Sequence, residues 1–247
     1  MAATPSGLLA DFDGTLSPIV TDPAMARPAD GVREALAGLL ARGAVVAIIT
    51  GRASLDARQM LGVPGVLIAG NHGTEWLEPD ADEPTSSMDV AEVRAGLDAA
   101  LGRLPSLPGV PLEDKGLSAS IHFRNARDPD AAREAILAAL GDVRAEGLDL
   151  RLGRMVVELR PIGAADKGTA ARHVVERHGL RGVIVLGDDL TDVDMFRAVA
   201  EMRAAGRVTA AIIGVGGESD VPPEIVSAAD EMLPSPAAAA ELLSAIR

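Results

Sequence analysis

The chain has 247 residues, 48% of them hydrophobic, which suffices for one large domain carrying an insert or for two modest domains. Its net charge of −13 disfavours nucleic acid and anionic membranes as partners, so an anionic ligand has to be held by a metal or by a few placed cations. With no cysteine, no tyrosine, three phenylalanines and one tryptophan, it has no disulfide, thiolate zinc site or cysteine nucleophile, and stacked aromatic platforms are disfavoured.

Short apolar runs alternate with helical patterns at both ends of the chain, the βα rhythm of a parallel sheet, so the core class is α/β. Strands are predicted at 7–10, 45–49 and 66–69, with helices at 32–40 and 53–61 between them. The acidic, proline-containing stretch 78–87 then reads as a linker. Beyond it, Val90, Val93, Leu97, Leu101 and Leu104 recur at helical spacing, and so do Ile136, Leu137, Leu140 and Val143. Between these, Leu117, Ala119, Ile121 and Phe123 alternate with Ser118, Ser120, His122 and Arg124, a strand with one apolar and one polar face. A further strand at 156–159 carries Glu158. The βα rhythm returns with a helix at 167–178, a strand at 183–186, a helix at 192–202, a strand at 210–213 and a terminal helix from Ala237. The expected division is a core of residues 1–87 and 161–247 with an inserted α/β unit at 88–160. No apolar run approaches the roughly 18 residues that span a bilayer, and residues 1–9 lack basic residues and a long apolar stretch. The expectation is a cytoplasmic monomer with a small-molecule partner.

The run Leu8-Leu9-Ala10-Asp11-Phe12-Asp13-Gly14-Thr15 sets two carboxylates at the carboxyl end of a strand, where parallel sheets place their ligands. Asp11 is the candidate nucleophile toward phosphorus, and Asp13 the candidate acid that protonates the leaving alcohol and later activates water. Thr50-Gly51-Arg52 ends the next strand and offers a hydroxyl, backbone amides and a guanidinium to phosphate oxygens. Lys167 opens a helix after the insert and supplies the fixed positive charge that clustered aspartates need. Gly187-Asp188-Asp189-Leu190-Thr191-Asp192 places a second acidic cluster after the strand at 183–186. Asp11, the main-chain carbonyl of Asp13 and Asp188 form an oxygen-rich site suited to Mg2+. Asp192 is expected to hold a metal-bound water and Asp189 to orient Lys167. Taken singly, each motif is an ordinary turn or cap.

The ordered set Asp-x-Asp-Gly-Thr, Thr-Gly-Arg, Lys and Gly-Asp-Asp-x-x-Asp resembles the haloacid dehalogenase superfamily of phosphatases. Within it, Asp11 to Ile19, Gly70-Asn71-His72-Gly73-Thr74-Glu75, Glu113-Asp114-Lys115 and Glu158-Leu159-Arg160-Pro161 resemble the trehalose-6-phosphate phosphatases. That resemblance implies a Rossmann-like core, an inserted α/β cap that recognises the sugar, and Mg2+-dependent hydrolysis of trehalose 6-phosphate through an aspartyl phosphate. The implied substrate-binding set is Gly51, Arg52, His72, Glu113, Lys115, Arg124 and Glu158, with His72 ordering its loop. Phe12, Thr50 and Val193 depart from the family's usual Tyr, Ser and acidic residue, and none of these changes removes a catalytic group. The rivals are a phosphatase of another sugar or pseudo-disaccharide phosphate, and a non-catalytic sugar-phosphate sensor or synthase partner. The presence of Asp11, Asp13 and Asp188 weighs against the second.

Overall fold

The computed structural model describes residues 4–20, 22–153, 155–217 and 221–246. Its first part runs β1 (Ser6–Ala10), α1 (Val32–Ala41), β2 (Val45–Ile49), α2 (Ser54–Leu61), β3 (Leu67–Gly70), β4 (Glu75–Leu77) and β5 (Thr85–Ser86). The middle comprises α3 (Val90–Leu101), β6 (Leu112–Asp114), β7 (Ala119–His122), α4 (Pro129–Leu140), β8 (Leu148–Gly153) and β9 (Val156–Pro161). The last part is α5 (Lys167–Arg177), β10 (Gly182–Gly187), α6 (Leu190–Ala204), β11 (Thr209–Val215), α7 (Pro223–Ala228), β12 (Glu231–Leu233) and α8 (Pro236–Ala245). Two compact units result, Met1–Thr85 with Ala165–Arg247, and Ser86–Ala164.

The first unit is built on a sheet of order β12-β11-β10-β1-β2-β3-β4-β5, parallel from β12 to β3 and antiparallel at β4. Its central strands are apolar on both faces because both are covered. Leu8, Ala10, Val46, Ile48 and Ile68 pack with α1, α2 and α8, whereas Leu9, Ala47, Ile49, Leu67 and Ala69 pack with α5 and α6. The scarce aromatic residues are shared out. Phe12 fills the first of these cores, Phe196 the second, and Phe123 the core of the other unit. Trp76, on β4, lies ring to ring with His173 of α5 at 4.7 Å between centroids and 55° between planes.

The second unit is an antiparallel sheet of order β6-β7-β9-β8 with α3 and α4 on its apolar face. The alternation read at 117–124 is borne out in its apolar half, since Leu117, Ala119, Ile121 and Phe123 are all buried with Val157 and Leu159. Helix α4 starts earlier than its leucine periodicity indicates, because Asp128 caps it through Ala131 N and Pro129 occupies its first position. Part of the stretch expected to be a linker is tied down: the Arg58 guanidinium donates to the carbonyls of Glu78 and Ala81, and Arg177 pairs with the Glu78 carboxylate. Among the described residues no helix is long and apolar enough to cross a membrane.

Phe196 is fully buried, so Phe196→Ala should cost about 3–5 kcal/mol in urea unfolding, while Arg197→Ala on the exposed side of α6 should change stability by less than about 0.5 kcal/mol.

Candidate active site

Three neighbouring strands bring the motifs together. In register, Ala10 of β1 faces Leu186 of β10 and Ile48 of β2, so the residues that follow these strands emerge at one edge of the sheet. Asp11 continues β1 and donates its N–H to the carbonyl of Leu186 at 3.1 Å, Asp188 follows β10, and Thr50 follows β2. Between β1 and β10 the chain proceeds in opposite directions, from β1 to β2 and from β10 to β11, which makes the crevice in which open α/β sheets hold their ligands.

Lys167 is the hub of the edge. Its ammonium stands 2.9 Å from Asp11 Oδ1 and 2.8 Å from Asp192 Oδ1, and its side chain is 2% exposed. Asp166 fixes where Lys167 sits by capping α5 through Thr169 N at 2.7 Å. Lys167 donates to Asp192 Oδ1 and sets its charge directly against Asp11 Oδ1. Burial works against the Lys167 charge, but Asp11 and Asp192 outweigh it and hold its pKa above the ordinary lysine value. One sequence expectation is corrected here. Asp192, not Asp189, orients Lys167, because Asp189 turns onto its own helix as the cap of α6. Asp192 completes that capping box, its Oδ2 accepting from the N–H groups of Asp188 and Asp189 at 2.9 and 3.1 Å.

Asp188 rests against the first motif. Thr15 Oγ1 donates to Asp188 Oδ1 at 2.6 Å, and a Cβ at Gly14, whose φ is +81°, would stand 2.0 Å from Asp188 Oδ2. Only glycine permits that approach and that backbone. Thr15 is a functional candidate that the sequence reading passed over, although it belongs to the same Asp-Gly-Thr run. Carboxylate oxygens of Asp11, Asp188 and Asp192 lie within 4.8 Å of one another. Burial, then Asp192 and Asp13, push the pKa of Asp11 up to about 7 against the pull of Lys167. Burial followed by Asp192 and Asp11 push that of Asp188 up to about 9. Crowded hard oxygens whose negative charge one lysine does not offset are a donor set that fits Mg2+.

Arg52 is committed to the other carboxylate. Its Nε and Nη2 donate to Asp13 Oδ2 and Oδ1 at 2.6 and 2.7 Å, a bidentate pair, with the guanidinium 5.6 Å from the centre of the Phe12 ring. Thr50 Oγ1 accepts from Arg52 N at 3.2 Å, which leaves its own proton to donate elsewhere. The buried His72 ring lies against Gly51, where a Cβ would be 2.8 Å from its Cε1 and Nε2.

In the second unit, the register aligns Glu113, Ser120, Glu158 and Arg151 in one row across the polar face of the sheet. Lys115 Nζ lies 3.9 Å from both Glu113 Oε2 and Glu158 Oε1, and His122 Nε2 is 2.9 Å from Glu113 Oε2. Glu113, Lys115 and Glu158 thus converge as a set. Arg124, just beyond β7, is exposed and has no hydrogen bond or ion pair among the described residues. Arg151 joins the row unannounced by the sequence reading, although Leu148, Leu150 and Leu152 alternate around it.

The family model for trehalose-phosphatase matches residues 9–221. The chain is 41% identical over 199 residues to the trehalose-phosphate phosphatase of Mycobacterium avium, covering 76% of this chain and 50% of that protein. It is 37% identical over 208 residues to that of Mycobacterium leprae, covering 79% and 48%. The chain therefore spans about half the length of the curated relatives it matches. Its fold is similar to the C-terminal domain of the C. albicans trehalose-6-phosphate phosphatase, with a TM-score of 0.77 at 24% identity over 99% of this chain and 93% of that one. The Aspergillus fumigatus trehalose-6-phosphate phosphatase gives a TM-score of 0.63 at 28% identity over 98% and 92%. A βα sheet edge carrying Asp11, Asp13, Lys167 and Asp188 in this order, matched by a family model over most of its length, makes the chain a member of the trehalose-phosphatase family.

Proposed function

We propose that the chain hydrolyses trehalose 6-phosphate to trehalose and inorganic phosphate, by way of an acyl phosphate on Asp11. The observation that carries this reading is the Lys167 bridge between Asp11 and Asp192, which holds a carboxylate at the strand edge beside the second acidic cluster. An oxygen of Asp11 forms the new bond to phosphorus while the bond from phosphorus to the sugar oxygen breaks, and Asp13 gives the departing oxygen its proton. In the second half, Asp13 takes a proton from water as that water attacks the acyl phosphate, releasing inorganic phosphate and restoring Asp11. Thr50 donates its free hydroxyl proton to a phosphate oxygen, while Arg52 stays hydrogen-bonded to the Asp13 carboxyl.

Asp11, the main-chain carbonyl of Asp13 and Asp188 would hold Mg2+, with Asp192 behind them, and the bound ion supplies charge compensation between a carboxylate nucleophile and an anionic substrate. Thr15 and Gly14 serve that site by fixing the Asp188 carboxylate. In the second unit, Glu113, Lys115 and Glu158 present mixed acceptors and donors of the kind that pair with sugar hydroxyls, with His122 orienting Glu113 and Arg124 extending from the same polar face. On this reading residues 86–164 recognise the sugar and the other unit carries out the chemistry.

Phosphate release from a panel of sugar phosphates, with magnesium and with EDTA, tests the reading. Trehalose 6-phosphate should be preferred and EDTA should abolish turnover; release from other phosphates alone would overturn the substrate, and release from none would revive the sensor reading. Asp11→Asn should lose about a thousandfold or more in kcat, whereas Glu113→Ala should mainly raise KM for the disaccharide phosphate. Lys167→Met leaves Asp11 and Asp192 buried without their shared counter-charge, and should lower unfolding stability by about 3–5 kcal/mol as well as eliminating activity.

A further inference from the structure

We propose that Glu75 is a positioning residue for proton transfer: by holding the start of α2 it sets where Arg52 meets Asp13. Helix α2 lacks a cap of its own, since Ala53 precedes it and has no side chain to accept from the first amides. The acceptor comes from a different strand. Glu75 Oε1, on β4, accepts from Ser54 N at 2.5 Å, and Glu75 is 7% exposed. A serine or aspartate at position 53 would have capped the helix locally. A carboxylate borrowed from β4 caps it and at the same time ties it to the sheet.

The same two loops are joined twice more. Asn71 N donates to the carbonyl of Arg52 and His72 N to that of Thr50, each at 2.8 Å. Asn71 and His72 both have φ in the left-handed region, at +47° and +58°, so this turn keeps a backbone shape that is unfavourable for non-glycine residues. Gly70 leaves no slack, because a Cβ there would stand 2.5 Å from Ser54 N, 2.6 Å from Glu75 Oε1 and 2.9 Å from the carbonyl of Arg52. The Thr50-Gly51-Arg52 segment is therefore framed by main-chain bonds on one side and by the Glu75 carboxylate on the other. From this frame the Arg52 side chain, 9% exposed, extends over Phe12 to its two bonds with Asp13. Displacing the frame by a fraction of an ångström moves the guanidinium and, with it, the carboxylate it grips. The amide bound by Glu75 is also one that cannot serve the substrate phosphate, so the helix start acts here as an anchor.

This proposal rests on the reading of Asp13 as the proton donor to the leaving group, and the test separates the two. Departure of a sugar alkoxide needs that proton, whereas 4-nitrophenolate or acetate leaves without it. With magnesium present, kcat/KM, which reports the steps through departure, is measured for trehalose 6-phosphate and for 4-nitrophenyl phosphate and acetyl phosphate. Glu75→Ala should lose about tenfold or more on the sugar phosphate and no more than about threefold on the activated phosphates. Glu75→Gln keeps an oxygen that accepts from Ser54 N and should stay within about threefold of the unsubstituted protein on all three. Equal losses on all substrates in Glu75→Ala would make Glu75 a structural residue only and overturn the proposal. If Glu75→Ala does not fold, Glu75→Asp, one methylene too short, decides by the same criterion. Asp13→Asn is the reference. A selective loss in Asp13→Asn without one in the Glu75 variants sinks the Glu75 proposal alone, while no selective loss in Asp13→Asn sinks the acid assignment and this proposal with it.

Discussion

Taking a lysine ammonium out of water is costly enough that it persists only where several carboxylates repay it, and Lys167, almost wholly enclosed, has Asp11 and Asp192 within 2.9 Å. Much of the surrounding structure follows from that requirement. The cap by Asp166 fixes the first turn of α5, and the capping box of α6 brings the fully buried Asp192 back toward β10. Both helices must then lie on the same face of the sheet, where Phe196 and the aliphatic residues of β1, β2 and β10 fill the space between them. Remove the ammonium and the buried Asp11 and Asp192 lose the counter-charge they share.

The same requirement bears on how a chain of net charge −13 would hold the phosphate of the substrate proposed for it. The favourable potential is not spread over the surface but concentrated in a few low-dielectric positions, where each charge counts for more than it would in water. Lys167 offsets part of the acidic cluster, Arg52 grips Asp13, and the remaining deficit around Asp11 and Asp188 is of the sign and hardness that a small divalent cation satisfies.

How much of this could be read in the sequence depended on how far each residue sat from a strong periodic signal. Asp11, Thr50 and Asp188 each follow an apolar run that could only be a buried strand, and the parallel sheet then places strand ends together, so the edge was legible without coordinates. The division of labour between Asp189 and Asp192 was not, since both lie in one acidic turn and only the capping geometry of α6 decides which side chain faces Lys167. Glu75 shows no role in its own stretch of sequence, because what it does depends on a hydrogen bond to an amide 21 residues away across β3. Short strands such as β4, β6 and β12 carry too few residues to show a period, and the leucines of α4 give a later start than the Asp-Pro signature that begins it.

The economy of aromatic residues has an optical consequence. With no tyrosine and a single tryptophan, ultraviolet emission excited above the phenylalanine bands arises from one indole, that of Trp76. That indole sits beside Glu75 on β4 and touches the imidazole of His173 on α5, the helix that begins with Lys167. Imidazolium is a quencher of indole fluorescence, so the intensity and spectral position of this one emitter report on the seam between β4 and the lysine-bearing helix. The native protein carries its own label at the place where the frame around Arg52 meets the scaffold of the acidic cluster.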